Sequence, residues 1–301
     1  MESEEKPLIL WQSNVLTSAR YEMTKLEKNI LYMVMAQIKR DDPIDQLYYV
    51  STLELMKKTG EEIQYERMKA ITEKLITRIL QADLPNGDYL QTAFIASAQY
   101  LKGTGTIEIE ISQKIRPFYL NLKQKFTTFE LDVAISLNSI YAKRLYEVLS
   151  MHKNLDNKTF KINLNDLKAQ LAITDAKSGK DKYPLYADFK RNVLKPSEEI
   201  NEKSDISFSV KEIKAGRKVV QLEFIVSPNP SSILIDYNDQ ETALFGRLIN
   251  QFKLRKDQAV TVLKQLSIAD LNKHLYDIQL RVKNNEIRNI GSYTAEVLGV
   301  K

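Results

Sequence analysis

The chain repeats itself. Leu31-Tyr32-Met33-Val34-Met35 returns as Leu145-Tyr146-Glu147-Val148-Leu149, and Val50-Ser51-Thr52-Leu53-Glu54-Leu55 returns as Ile162-Asn163-Leu164-Asn165-Asp166-Leu167. The stretch from Phe94 to Gly103 returns in pattern between Ile206 and Gly216. All three correspondences keep their order at a near-constant offset of about 113 residues, which is the signature of an internal duplication. Two copies of one unit must then solve the same folding problem, so any element expected in one copy is expected in the other.

Each copy opens on a helical stripe of apolar residues three and four apart: Leu26, Ile30, Leu31, Val34 and Ile38 in the first, Ile140, Leu145, Val148 and Leu149 in the second. That stripe is core. A short second helix is expected over Leu53 to Lys58 and Leu164 to Ala172, and a third over Tyr65 to Leu80 and Pro184 to Lys203. β-rich runs then flank glycine turns. Thr92 to Leu101 and Thr106 to Ile111 surround Gly103-Thr104-Gly105; Ile206 to Ile213 and Val219 to Val226 surround Gly216-Arg217-Lys218. A helix, a helix-turn-helix and a two-stranded wing make a winged helix. The expected fold class is therefore α+β: tandem duplicated winged-helix domains plus a helical C-terminal tail. The copies are placed at 1–125 and 126–228, with Ile115 to Leu131 as a closing helix and connector. Pro228-Asn229-Pro230-Ser231-Ser232 cannot continue a strand and marks the start of the tail, 229–301. There helical spacing resumes from Thr242 to Val282, followed by Ile290-Gly291-Ser292-Tyr293-Thr294.

Composition removes most chemistry. With 43% hydrophobic and 28% charged residues the chain can bury a core. It has no cysteine, so disulfide frameworks and thiol nucleophiles are excluded, and a reducing cytoplasm is the expected location. The two histidines, His152 and His274, lie far apart and lack metal-ligand spacing. Ser178-Gly179-Lys180-Asp181 lacks the first glycine and the hydroxyl of a P-loop, and none of the 9 glycines forms a Gly-x-Gly-x-x-Gly fingerprint. The many acidic residues are scattered as on solvated helix faces. These patterns argue against an enzyme and call for no cofactor. The N-terminal stretch, with three glutamates before Lys6, carries no export pattern, and the longest apolar run, Ile30 to Ala36, is too short to span a bilayer. No membrane partner is expected.

Lys and Arg number 44 against 39 Asp and Glu, a net charge of +5, which mildly favours a polyanionic partner. A winged helix reads double-stranded DNA with its third helix in the major groove and cations on the flanking phosphates. In the second copy that helix carries Lys190, Arg191 and Lys195, preceded by Lys182, while Phe189, Val193 and Leu194 are spaced to face the core. Arg191 or Lys190 could serve a guanine edge or a phosphate. The wing tip adds Arg217 and Lys218. The first copy offers Arg67, Lys69, Lys74 and Arg78, with Lys102 beside its wing, but Glu61, Glu62, Glu66 and Glu73 dilute the field. It is either a weaker reader or a protein interface.

Phe126 to Leu131, Leu137 to Leu149, and Phe189 to Pro196 continuing through Glu199-Ile200-Asn201 resemble the iteron-binding initiator proteins of theta-replicating bacterial plasmids. Asn14-Val15-Leu16 is similar to the opening of that family, and the resemblance runs from about Leu8 to Ser227, leaving the tail outside it. It implies stoichiometric binding to direct repeats at an origin, opening of the adjacent duplex, and recruitment of the host initiator and replicative helicase. It also implies self-association through the first winged helix, with dimers repressing their own promoter and monomers binding the repeats. The alternative reading is a transcriptional regulator that uses the same two modules without a role in replication.

Overall fold

The computed structural model describes residues 8–120, 122, 125–153, 158–175, 178–229, 239–283, 287 and 289–300. Two compact units result, Met1–Ser227 and Pro228–Lys301.

The duplication is visible in the topology. In the first copy β1 (Ile9–Ser13) and α1 (Asn14–Ser18) precede the main helix α2 (Lys25–Met35), then β2 (Tyr48–Ser51), α3 (Thr52–Thr59) and α4 (Tyr65–Ile76). A hairpin β3 (Ile79–Asp83) and β4 (Tyr89–Ala93) is followed by the wing strands β5 (Ile95–Leu101) and β6 (Thr106–Ile111). In the second copy β7 (Phe126–Glu130), α5 (Leu131–Ser136) and the main helix α6 (Ile140–His152) lead to β8 (Thr159–Asn163) and α7 (Leu164–Gln170). Next come α8 (Tyr186–Phe189), a π-helical turn Lys190–Leu194, α9 (Lys195–Ser197), α10 (Ile200–Lys203), and the wing strands β9 (Ile206–Ala215) and β10 (Lys218–Pro228). The sheets match strand for strand: order β2-β6-β5 in one copy, β8-β10-β9 in the other.

Local chemistry sets the helix starts. Thr24 caps α2 in a reciprocal box with Glu27, and Ser139 caps α6 at the equivalent place. Ser51 caps α3 through the Glu54 amide, and Gly60 ends that helix in the left-handed region at φ 68°.

Four expectations need correction. The third helix of the first copy stops at Ile76, not Leu80, because Ile79–Asp83 pairs with Tyr89–Ala93 across the Leu84-Pro85-Asn86-Gly87-Asp88 turn. The run from Thr92 to Leu101 is accordingly two strands, broken at the buried Phe94. The closing helix is a single 3-10 turn, Arg116–Phe118, and Phe126–Glu130 is a strand. In the second copy the helix expected from Pro184 to Lys203 is divided, with α10 separate from α9. Pro228 ends β10, while the Pro230 to Ser232 part of the expected boundary lies outside the described residues.

What joins the copies is β1 against β7, antiparallel, with Trp11 opposite Thr128 at the centre and the ends paired as Ile9 with Glu130 and Ser13 with Phe126. Beneath them α2 meets α6 around a fully buried ionic cluster. Lys28 Nζ lies 2.7 Å from Glu147 Oε1, Arg144 pairs with Glu147 Oε2, and Tyr32 donates to Glu147 Oε1 at 2.8 Å. Arg144 also donates to the carbonyls of Ala19 (2.9 Å), Thr17 (3.2 Å) and Gln170 (3.4 Å), stitching the end of α1 and the end of α7 to α6. Burial pushes the Glu147 carboxyl up, but Lys28 and Arg144 outweigh it and hold it below the usual range. Two cations for one carboxylate leave a surplus: burial lowers the Lys28 ammonium to about 8, against the opposing pull of Glu147.

In the second unit α11 (Asp239–Asn250), α12 (Lys256–Gln265), α13 (Ile268–Lys283) and α14 (Ile290–Val297) enclose their own core of Leu248, Phe252, Val262, Leu271, Leu275 and Ile278. Gly291 permits the close approach of α14, since a Cβ there would lie 2.6 Å from the Lys253 carbonyl oxygen.

The cluster makes two variants behave oppositely. Glu147→Gln strands two buried cations and should cost about 3–5 kcal/mol in urea unfolding, whereas Lys28→Met leaves the Arg144–Glu147 pair balanced and should cost far less. Because the folded ammonium of Lys28 titrates near 8 and the free one near 10.5, its contribution to stability is fully present above 10.5 and is lost as pH falls through 8. The urea midpoint of the parent should therefore rise from pH 8 to 9.5 by more than that of Lys28→Met; equal rises would contradict the assignment.

Candidate nucleic-acid interface

The third helix of the second copy begins after Leu185, in extended conformation, and runs through α8, the π-turn and α9 without leaving helical dihedrals. Its widened middle follows from Pro196, which has no N–H to give and whose ring crowds the carbonyl four residues back. The Lys195 amide accordingly bonds the Lys190 carbonyl, five residues back. Ser197 Oγ donates to the Val193 carbonyl at 2.7 Å, and Asn192 Nδ2 to that of Asp188 at 2.8 Å, giving the widened turn side-chain partners. Phe189, Val193 and Leu194 are buried as their spacing requires.

The opposite face is open to solvent and carries Ala187, Lys190, Arg191 and Lys195, with Leu185 65% exposed at its start. Two of these cations are held by acids. Lys190 Nζ lies 2.9 Å from Glu212 Oε1 on β9, tying the helix to the wing. That hydrogen bond keeps the Glu212 carboxylate below its ordinary range, and so ionised. Arg191 donates to Asp188 Oδ1 at 2.7 Å, one turn back on the same helix. Lys182 donates to the Tyr141 hydroxyl at 3.1 Å, which raises its own proton affinity, and its ammonium lies 5.6 Å from the ring centres of Tyr141 and Tyr183. At the wing tip Gly216 takes φ 62°, and Arg217 and Lys218 are exposed beside it.

In the first copy Arg67, Lys69 and Lys74 stand exposed on α4, and Lys102 beside its wing turn. Lys69 sits 4.5 Å from the centre of the Tyr65 ring, which meets Tyr100 of β5 edge-on at 5.3 Å. Arg78 is placed differently. It lies past the end of α4, and its Nε and one terminal nitrogen donate to the two carboxylate oxygens of the buried Glu27 at 2.9 and 3.1 Å. This fork fastens α4 to α2 and takes Arg78 away from the solvent face. Sequence reasoning missed the acids Asp188 and Glu212 and the aromatics Tyr65 and Tyr100. Asp188 could have been noticed from its three-residue spacing to Arg191; Glu212 pairs with Lys190 only through the fold.

Two models of initiator replication proteins match the chain: the first winged helix of that family over residues 9–150, a span that runs through β7, α5 and most of α6, and the second over residues 163–226. The chain belongs to the initiator replication protein family. This initiator is similar to the PI protein of Escherichia coli, with 28% identity over 230 residues, spanning 65% of this chain and 75% of the relative. In fold it is similar to the crystal structure of the Pi initiator protein in complex with iteron DNA, at a TM-score of 0.60 and 24% identity, covering 73% of this chain and 97% of that one. The shared fold is a pair of winged helices, as the sequence led one to expect.

The two kinds of cation in this initiator separate by stability. Arg78→Ala leaves the buried Glu27 short of a charged partner and should cost about 1–3 kcal/mol, while Arg67→Ala and Lys69→Ala should stay within about 0.5 kcal/mol. Urea denaturation of the three variants measures this, and a neutral Arg78→Ala would place that side chain among the exposed surface cations.

Proposed function

We propose that this protein initiates plasmid replication by binding direct repeats at the origin, with the second winged helix as the main reader. The carrying observation is the match of both initiator modules to a chain whose second reading helix presents Lys190, Arg191 and Lys195 on one solvent face beside the cationic wing tip. In this reading residues 126–228 read DNA, with Lys190 and Arg191 on base edges or adjacent phosphates and Arg217 and Lys218 on the backbone. Residues 1–125 add DNA contacts through Arg67, Lys69, Lys74 and Lys102 and provide the surface for self-association. Lys182 flanks the reader, and Arg78 supports α4 from behind. The activity is stoichiometric: the bound protein helps open the neighbouring duplex and recruits the host initiator and replicative helicase. The helical unit 229–301 is the third domain.

Binding of the purified protein to duplex flanking its own gene, against a scrambled duplex and over a salt series, tests this directly. Repeat-dependent binding that survives moderate salt, together with replication supported by the same fragment, is the expected result. Specific binding without replication would instead identify a transcriptional regulator. Combined Lys190→Ala and Arg191→Ala should weaken repeat binding by roughly 1–3 kcal/mol per lost base contact. Arg217→Ala with Lys218→Ala should lower affinity for every duplex and flatten the salt dependence by about one unit per lost phosphate contact.

A further inference from the structure

We propose that Asp188 determines sequence specificity in the second reading helix: it orients Arg191 toward a guanine edge, and its own carboxylate selects a base bearing an amino group, cytosine or adenine, beside that guanine. The proposal rests on the DNA-reading function above.

Geometry comes first. Arg191 and Asp188 stand on the solvent side of the helix whose other side, Phe189, Val193 and Leu194, is core. The Arg191 side chain is 73% exposed and that of Asp188 32%, with 2.7 Å between Nη2 and Oδ1. An exposed pair three residues apart contributes only about 0–1 kcal/mol to folding, so stability gives little reason for a carboxylate here. Its effect on orientation is larger. The guanidinium is planar and presents its donors as a fork, so a hydrogen bond on one terminal nitrogen limits the directions in which the remaining donors point. Lys190, the neighbouring cation, is drawn aside to Glu212 on the wing strand. Arg191 is therefore the cation that the helix itself aims.

Charge gives the second half. A carboxylate on a face that enters the major groove is repelled by every phosphate, which lowers affinity for all duplexes alike. Such a repulsive element favours a partner only where a donor compensates it. In the major groove those donors are the N4 amino group of cytosine and the N6 amino group of adenine. Guanine and thymine offer only acceptors there, so they leave the carboxylate uncompensated.

The full-length protein is titrated with a direct-repeat duplex, with duplexes carrying single base-pair replacements across it, and with a scrambled duplex. Asp188→Ala should bind the scrambled duplex at least as tightly as the parent, while the ratio of repeat to scrambled affinity falls about tenfold. The lost discrimination should fall at the guanine that Arg191→Ala also ceases to read and at the base beside it. Asp188→Asn keeps an acceptor for Arg191 without the charge, and should retain discrimination at the guanine while tolerating other duplexes better. Equal weakening on all duplexes, or an unchanged ratio, overturns the proposal and leaves Asp188 a surface residue. A parent protein that does not distinguish repeat from scrambled duplex overturns the DNA-reading function, and this inference with it.

Discussion

One carboxylate with no solvent exposure, Glu147, ties α6 to α2 at the centre of the compact unit Met1–Ser227. It sits in α6 and is bound by Lys28 of α2, while Arg144, one turn before it, reaches the carbonyls that end α1. Buried ions of this kind are costly to desolvate and stabilise little compared with an apolar alternative, but removing one partner is severe. Their consequence is geometric: α2 and α6 meet in the position where the charges are satisfied. The antiparallel β1–β7 pair, with Trp11 against Phe126 at 5.0 Å, lies beside it and holds the same two elements together. Both third helices lie in one compact unit, the placement that the proposed binding to neighbouring turns of one duplex requires.

The electrostatics of the reading faces are more restrained than the net charge of +5 suggests. Lys190 and Arg191 each lean on an acid, Lys69 on Glu66 and the Tyr65 ring, and Arg78 is consumed by the fold. At the wing tip Arg217 and Lys218 stand exposed beside the glycine turn. In the proposed function, phosphate attraction falls to the wing and selective contact to the helix. Such a division lets affinity and discrimination vary separately.

Much of this was legible in the sequence because it depends on periodicity. The stripe of Ile30, Leu31 and Val34, its copy in Leu145, Val148 and Leu149, and the two glycine-centred wings are local patterns, and duplication checks each against the other. What escaped is what tertiary contacts decide. The run from Ile79 to Leu101 has apolar residues compatible with helix or strand, and only pairing between β3 and β4 resolves it. β7 looked like a connector because its partner, β1, lies more than a hundred residues away. Arg78 continued a helical series of cations, yet the chain turns before it and Glu27 is waiting below. The buried charges of α6 were hidden inside an apolar stripe, since no local pattern distinguishes Arg144 and Glu147 from a surface pair three residues apart.

The central proposal is that one compact unit presents two DNA readers at once. Hydroxyl-radical footprinting of the full-length protein on its origin repeats tests this most directly. Two protected segments on one face of the duplex, about one helical turn apart for each bound protein, are the predicted result, and both should weaken together in Glu147→Gln if that variant remains folded. A single protected segment, or protection that is indifferent to the repeat sequence, would contradict the account.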